Sequence, residues 1–353
     1  MHIVLFSILW GILITLILVA PTSYYPLLFA FLIISLLIII FSRKYFITNS
    51  KIFLLGFLLF FVSYGLCSFI IFKQSKISYP DFSNLQDTKK AVIFYSEGEM
   101  EKYSPFYADY FFKDKNIFLK PLYCFKIKRE YSAFVVNEKN KELTKVAQEL
   151  KKAILNYKPY YFYIAFEGYV PSIRDSIYSA IKDGCKDIYL INYTPKEIEL
   201  KINKSVDLNF LRDKGINIKI TKPIYESDQF INYFVNKINN FPVRYQGILI
   251  YDAETKTSSK LKEKLVKYGY KESGIIISKN IKDAFAYFKS QGFKDILFLN
   301  LYQSSSGIEA ERIINNELPK YTQEFKVHGI KSWGYDMELV KACIKEFREI
   351  EEK

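Results

Sequence analysis

Histidine is almost missing from this chain. The 353 residues hold two, His2 and His328, which leaves no material for an imidazole-rich metal centre. Cysteine is nearly as scarce. Cys67 lies in an apolar run, and Cys124, Cys185 and Cys343 are an odd set with no pairing logic. That argues against a disulfide framework and mildly favours a reducing compartment. There is no Gly-rich phosphate loop, Cys-x-x-Cys, His-Glu-x-x-His or Gly-x-Ser-x-Gly, so the usual signatures of nucleotide, thiol-redox, zinc-protease and serine-hydrolase chemistry are absent. No basic run with interleaved aromatics marks a nucleic-acid surface. Acidic residues are also lacking at first: none precedes Asp81.

What fills that acid-free start is apolar. Ile3–Ala20, Tyr24–Phe41 and Ile52–Phe72 are three long hydrophobic runs, each near the ~20 residues a helix needs to span hydrocarbon. They predict a membrane anchor of three transmembrane helices over residues 1–80, with the lipid bilayer as partner. A cleaved signal peptide is the bland alternative for the first run, but two further runs follow and no small-residue cleavage site is present. Arg43, Lys44 and Lys51 would put the second loop in the cytoplasm, while Lys73, Lys76, Lys89 and Lys90 nearly balance them across the third run. The expectation is an integral protein of an inner or plasma membrane, its soluble part leaning cytoplasmic on the cysteine argument. Net charge is +13, of which +8 falls after residue 80. These lysines are scattered among acids, as on a solvated surface. A weaker reading is attraction to anionic lipid or a carboxylate-bearing ligand.

Beyond residue 80, short β-branched and aromatic runs alternate with amphipathic stretches. Strands are predicted at Ala91–Tyr95, Tyr161–Phe166, Ile188–Tyr193, Ile216–Thr221, Gly247–Tyr251, Gly274–Ser278, Ile296–Tyr302 and Phe325–Ile330, as continuous runs suited to a parallel sheet covered on both faces. Leu143, Val146, Ala147, Leu150 and Ile154 form one helical stripe, as do Ile231, Phe234, Val235 and Ile238, and Leu339, Ala342, Cys343 and Phe347. The stretch Ile173–Asn192 recurs at Ile281–Asn300: Ile173, Asp175, Gly184, Lys186, Asp187, Ile188 and Asn192 return as Ile281, Asp283, Gly292, Lys294, Asp295, Ile296 and Asn300. One folding unit used twice is implied. The expected fold class is α/β, two similar doubly wound lobes over 81–243 and 244–353, preceded by the three transmembrane helices. Ligands would bind in a cleft between the lobes.

The order of segments resembles the ferrochelatases and related class II tetrapyrrole chelatases. Phe166–Ile173 (FEGYVPSI) is similar to that family's segment ending in Pro-Ser-Ile, and Leu190–Lys196 (LINYTPK) to its strand ending in Leu-Tyr-Pro-Gln. Tyr225–Ile238 and Gly334–Phe347 resemble the helices that close its lobes. Gly247–Glu254 (GILIYDAE) resembles the strand carrying Ser-Ala-His-Gly, and Ser305–Glu309 (SSGIE) its Ser-Asp-His-Ile-Glu. The resemblance covers about residues 90–350 and implies a porphyrin cleft between similar halves. It also implies divalent metal (iron) and porphyrin as substrates rather than a tightly bound cofactor.

Departures shape the functional expectation. The family histidine is replaced by Ala253, between Asp252 and Glu254, and Glu309 matches the family's acidic partner. Metal insertion needs a base for the pyrrole protons and donors that strip water from the metal. Glu309, Asp252 and Glu254 are therefore the candidate catalytic and metal-holding residues, with hard oxygens in place of imidazole. Carboxylates just past a strand end are also commonly solvated loop or helix-start residues. Tyr95 and Ser96 after the first strand, Lys196 near the first crevice and Ser306 in the Ser304–Ser306 run are candidates for lining a tetrapyrrole. Ser306 is equally placed to cap the helix that follows. Glu97 and Glu99 would repel propionates, and Glu167 stands where the family often has arginine; Lys196 and Lys201 are placed to compensate. Three functions remain open: a membrane-anchored ferrochelatase-like enzyme, a non-catalytic tetrapyrrole or metal binder, and a membrane-anchored two-lobed sensor.

Overall fold

The computed structural model describes residues 2–41, 50–73, 79–107, 115–132, 139–253, 255–302, 307–330 and 333–352. The chain forms two compact units, one of Met1–Ser78 with Lys102–Val136 and one of Tyr79–Glu101 with Asn137–Lys353.

In the first unit, α1 (His2–Val19), α2 (Tyr25–Phe41) and α3 (Ser50–Phe72) are apolar on every face, the pattern of helices solvated by something other than water. Two of them, over Thr22–Ile40 and Leu54–Phe72, are long and apolar enough to cross a membrane, with mean hydropathy 2.4 and 2.3. Three such helices were expected. The first run instead gives a shorter apolar helix, Val4–Val19, with partners inside the unit. A Cβ at Gly11 would run into Ser63 and the Phe60 carbonyl of α3. Thr15 is fully buried, and Trp10 Nε1 donates to Ser35 Oγ of α2 at 3.0 Å. Small residues at a helix contact permit such close approach.

Residues 102–136, placed by sequence in the first lobe, group with these helices instead. Their helix, α4 (Lys120–Ser132), brings Lys128 to the end of α1. The ammonium donates to the carbonyls of Ile17, Leu18 and Ala20 at 2.7, 3.0 and 2.8 Å. It thus satisfies acceptors that a helix end leaves open. Burial pushes the Lys128 pKa down to about 8.

The second unit holds two four-stranded sheets, all parallel. The first comprises β1 (Gln86–Glu97), β2 (Tyr161–Glu167), β3 (Cys185–Tyr193) and β4 (Asn217–Ile220), ordered β2-β1-β3-β4. The second comprises β5 (Gly247–Tyr251), β6 (Ile275–Ile277), β7 (Asp295–Asn300) and β8 (Lys326–Ile330), ordered β6-β5-β7-β8. All eight expected strands are present, in α/β alternation. The helices between them are α5 (Lys139–Leu155), α6 (Ile173–Lys182), α7 (Glu199–Ser205), α8 (Leu208–Asp213), α9 (Asp228–Asn239), α10 (Lys256–Lys267), α11 (Ile281–Ser290), α12 (Ile308–Arg312) and α13 (Met337–Glu351).

The sequence repeat falls on equivalent elements. Ser172 caps α6 by accepting from Asp175 N, and Asn280 caps α11 by accepting from Asp283 N. Each helix is followed by a glycine at positive φ, Gly184 at 85° and Gly292 at 72°, a left-handed turn that glycine adopts without a Cβ clash. The two sheets share one core. Tyr193 OH donates to Gly334 O at 2.9 Å, and buried Trp333 donates to Leu301 O at 3.1 Å. The last helix, α13, packs on α5 and β3 of the first sheet. One connection breaks the symmetry. The path from Ala91 to its partner Tyr161 is more than twice as long as that from Ile248 to Ile275, because it contains the stretch that folds with the apolar helices.

Candidate functional site

In each sheet the chain first steps one way and then the other, so the order switches between β1 and β3 and between β5 and β7. The carboxyl ends at such a switch border the crevice of an open α/β sheet. In the first lobe they carry Tyr95 to Glu101 and Tyr193 to Lys196; in the second, Tyr251 to Ala253 with Thr255, and Asn300 to Tyr302.

Tyr95 and Ser96 are adjacent on β1 and point to opposite faces of the sheet. Tyr95 is buried with Ile93, Ala165 and Ile177 in the core of the first sheet. Burial, and then the nearby Glu167, raise its pKa. Ser96 is fully buried, and its hydroxyl donates to Tyr193 O at 3.1 Å, tying β1 to β3 at the switch. Both side chains are buried at the end of β1. Glu97 and Glu167 are register partners on β1 and β2, and Glu167 is neutralised by Lys201 at 2.5 Å.

The best-held group at this end is Glu99. Its carboxylate accepts from Lys139 Nζ at 3.1 Å and, through the other oxygen, from Ile308 N at 2.9 Å in the second lobe. The Asn140 side chain grips the Glu99 backbone, accepting from its N–H and donating to its carbonyl. Lys139 is 4% exposed and also lies 3.8 Å from Glu97. Burial alone would pull its pKa down, but Glu99 and Glu97 outweigh burial and leave it raised. At Gly307 any side chain would collide with the Glu99 carboxylate, so glycine there permits the contact. Sequence reading noticed Glu97 and Glu99 only as charges hostile to propionates. Nothing in the spacing of Lys139 and Asn140, some forty residues later at a helix start, ties them to this loop.

The second lobe treats its carboxylates differently. Asp252, 1% exposed, accepts from Tyr225 OH at 2.6 Å and from Thr255 Oγ1 at 2.7 Å. Thr255 in turn caps α10. Burial and then Asp252 raise the Tyr225 pKa. Glu309 is forked by Arg312 one turn on, at 3.0 and 2.6 Å. Burial and then Glu309 raise the pKa of Tyr251 at the end of β5. Asp252 and Glu309 thus hold separate partners, and among the described residues no three His, Cys, Asp or Glu side chains converge as a metal cluster. Glu254 and Ser306 lie outside the described residues. Lys196 does reach across the lobes: its ammonium stands 5.6 Å from the Tyr302 ring centre, while Lys279 approaches the same ring at 3.3 Å. Asn192 and Thr194 hold the Lys196 carbonyl. His328, in β8, is paired in register with Leu297, and its ring meets Phe241. Ala253, just past the end of β5, is exposed.

No family model and no curated protein matches this chain. Among solved structures it is similar to the sirohydrochlorin chelatase SirB from Bacillus subtilis subspecies spizizenii in complex with cobalt, at 14% identity and a TM-score of 0.49, over 75% of this chain and 96% of that one. SirB from Bacillus subtilis with Fe3+ aligns at 15% identity and 0.48, over 74% and 96%. A multi-domain protein from Deinococcus radiodurans, described as structurally similar to chelatases, aligns at 9% identity and 0.47, over 74% and 55%. At these values the likeness concerns the course of the chain and not its chemistry.

Proposed function

We propose that the second unit is a chelatase-like module that handles a tetrapyrrole and its divalent metal at the strand carboxyl ends, held at a membrane by the apolar helices. The observation that carries the reading is the duplicated sheet with its two switch points, bridged at the carboxyl ends by Glu99 to Ile308 and by Lys196 to Tyr302. Two of the segments resembling tetrapyrrole chelatases, Leu190–Lys196 and Gly247–Glu254, run out over the ends of β3 and β5. A flat apolar macrocycle with acidic side groups suits aromatic rings beside exposed lysines, here Tyr302 with Lys196 and Lys279. A membrane tether suits a ligand that partitions into lipid.

Within this reading, binding or handing over the ligand is favoured over metal insertion. Insertion requires a base to take two pyrrole protons. Ala253 replaces the family histidine, Asp252 is occupied by two hydroxyls and Glu309 by a guanidinium. Glu309, half-exposed and paired with the exposed Arg312, is the candidate base among the described residues.

The test uses the full chain in detergent micelles, titrated with protoporphyrin and with sirohydrochlorin while absorbance and fluorescence are followed. Ferrous, cobalt or zinc ion is then added without oxygen. Saturable binding without insertion supports a carrier or sensor. Insertion that Glu309→Gln abolishes makes the protein a chelatase working without the family histidine. Absence of binding to either macrocycle overturns the proposal.

A further inference from the structure

The stretch after β1 that folds with the apolar helices has no counterpart between β5 and β6, and its exposed face is unusual. Ser68 Oγ donates to Ile117 O at 2.6 Å, Tyr64 OH donates to Phe118 O at 2.9 Å, and the Phe118 ring fills the space beside Gly65. These α3 residues lie about 6–12 Å before the helix end at Phe72, counting 1.5 Å per residue. They fall inside the apolar window Leu54–Phe72. Farther along, Lys128 meets the end of α1, and its ammonium lies 4.6 Å from the Tyr25 ring centre at the start of α2. So α4 climbs from within the apolar layer toward its edge.

The exposed side chains of α4 and of the turn that leads into it change in the same direction. Phe118, Leu119 and Leu122 are exposed, at 54, 45 and 52%. Lys126, Arg129 and Glu130 follow and are exposed as well. Leu122, Lys126, Arg129 and Glu130 are three and four apart and share a helix face, and Phe118 and Leu119 precede it, so the segment is greasy at its start and charged at its end. In water, three large apolar side chains side by side are costly. Against a bilayer, the same gradient matches the boundary between acyl chains and headgroups, where interfacial helices sink about 5–10 Å.

We infer that the turn 117–119 and α4 form one interfacial segment whose start, Phe118, Leu119 and Leu122, dips into the acyl region of the membrane while Lys126 and Arg129 meet anionic headgroups. This rests on reading α2 and α3 as membrane-spanning. It adds a further membrane contact, inserted in the chain between β1 and α5.

The test is a depth measurement on the full chain in vesicles of phosphatidylcholine and phosphatidylglycerol. On a Cys67→Ser background, Phe118→Cys, Leu122→Cys, Lys126→Cys and Arg129→Cys are each spin-labelled. The same is done for Ile33→Cys on the exposed face of α2 and Tyr268→Cys on the exposed surface of the second unit. Collision with oxygen is compared with collision with a water-soluble nickel chelate. The expected result is several-fold oxygen preference at 118 and 122 relative to 268, declining through 126 to 129. Water-like values at 118 and 122, with lipid-like values at 33, overturn this inference and leave the spans standing. Water-like values at 33 overturn both.

Discussion

The two lobes share a framework and differ at their strand ends. Both have the same parallel order, equivalent capped helices and glycine turns at equivalent places. Yet the first lobe gathers Glu97 and Glu99 around a buried ammonium, Lys139. The second separates its acids, Asp252 onto two hydroxyls and Glu309 onto a surface arginine. A duplicated backbone therefore does not duplicate chemistry. The framework is held by caps and core positions, which the repeat preserves, while the crevice groups sit in loops that each copy has rebuilt.

The sharpest way to break this contrast is to remove the buried ammonium. Lys139→Met strands Glu99 and Glu97 without a cation and is expected to cost about 3–5 kcal/mol, read as a lowered thermal midpoint of the full chain in detergent. Combining it with Glu99→Gln is expected to cost less than the two changes added together, since they share one interaction; simple additivity contradicts the Glu99–Lys139 pairing.

Asp252→Ala comes next. It leaves the Tyr225 and Thr255 hydroxyls without their acceptor and is expected to cost about 1–3 kcal/mol. If it leaves the midpoint unchanged but abolishes metal or tetrapyrrole binding, Asp252 is a working ligand and not a strut.

Raising the pH, read as the difference between the native chain and Lys139→Met, isolates the buried ammonium of the first lobe. The folded pKa of Lys139 lies above its unfolded value, near 10.4. The native state therefore holds the proton longer, and the contribution of Lys139 is intact below that pH and lost above it. The stability gap between the native chain and Lys139→Met should be flat from neutral pH to about 10 and shrink beyond. A gap that already shrinks near neutrality would contradict the raised pKa.

The smallest expected effect on stability belongs to Glu309→Gln, within about 0.5 kcal/mol, because an exposed ion pair contributes little. Its interest is functional: unchanged stability with lost metal insertion would give the second lobe the catalytic part.

Much of the framework was legible because it is written in local patterns. The runs Ile188–Tyr193 and Ile296–Tyr302 announce buried strands, and the repeat at Asp175 and Asp283 places the same capped helix in both lobes. The candidate site was less legible. Tyr95 and Ser96, expected to line the crevice, follow each other on β1 and so point to opposite faces of the first sheet, where the sheet core covers one and the β1–β3 tie holds the other. The same local reading gave the first apolar run a full span, where the structure has a shorter helix packed through Gly11.

Sequence alone determined the α/β alternation, the duplication and the apolar start, since each depends on which residues neighbour one another along the chain. Only the tertiary structure decided that Lys139 and Asn140 clasp Glu99, that Glu99 reaches Ile308, and that residues 102–136 return to the apolar helices. Those contacts join residues far apart in the chain. Their strength comes from burial and from a few tenths of an ångström of fit, which no local pattern encodes.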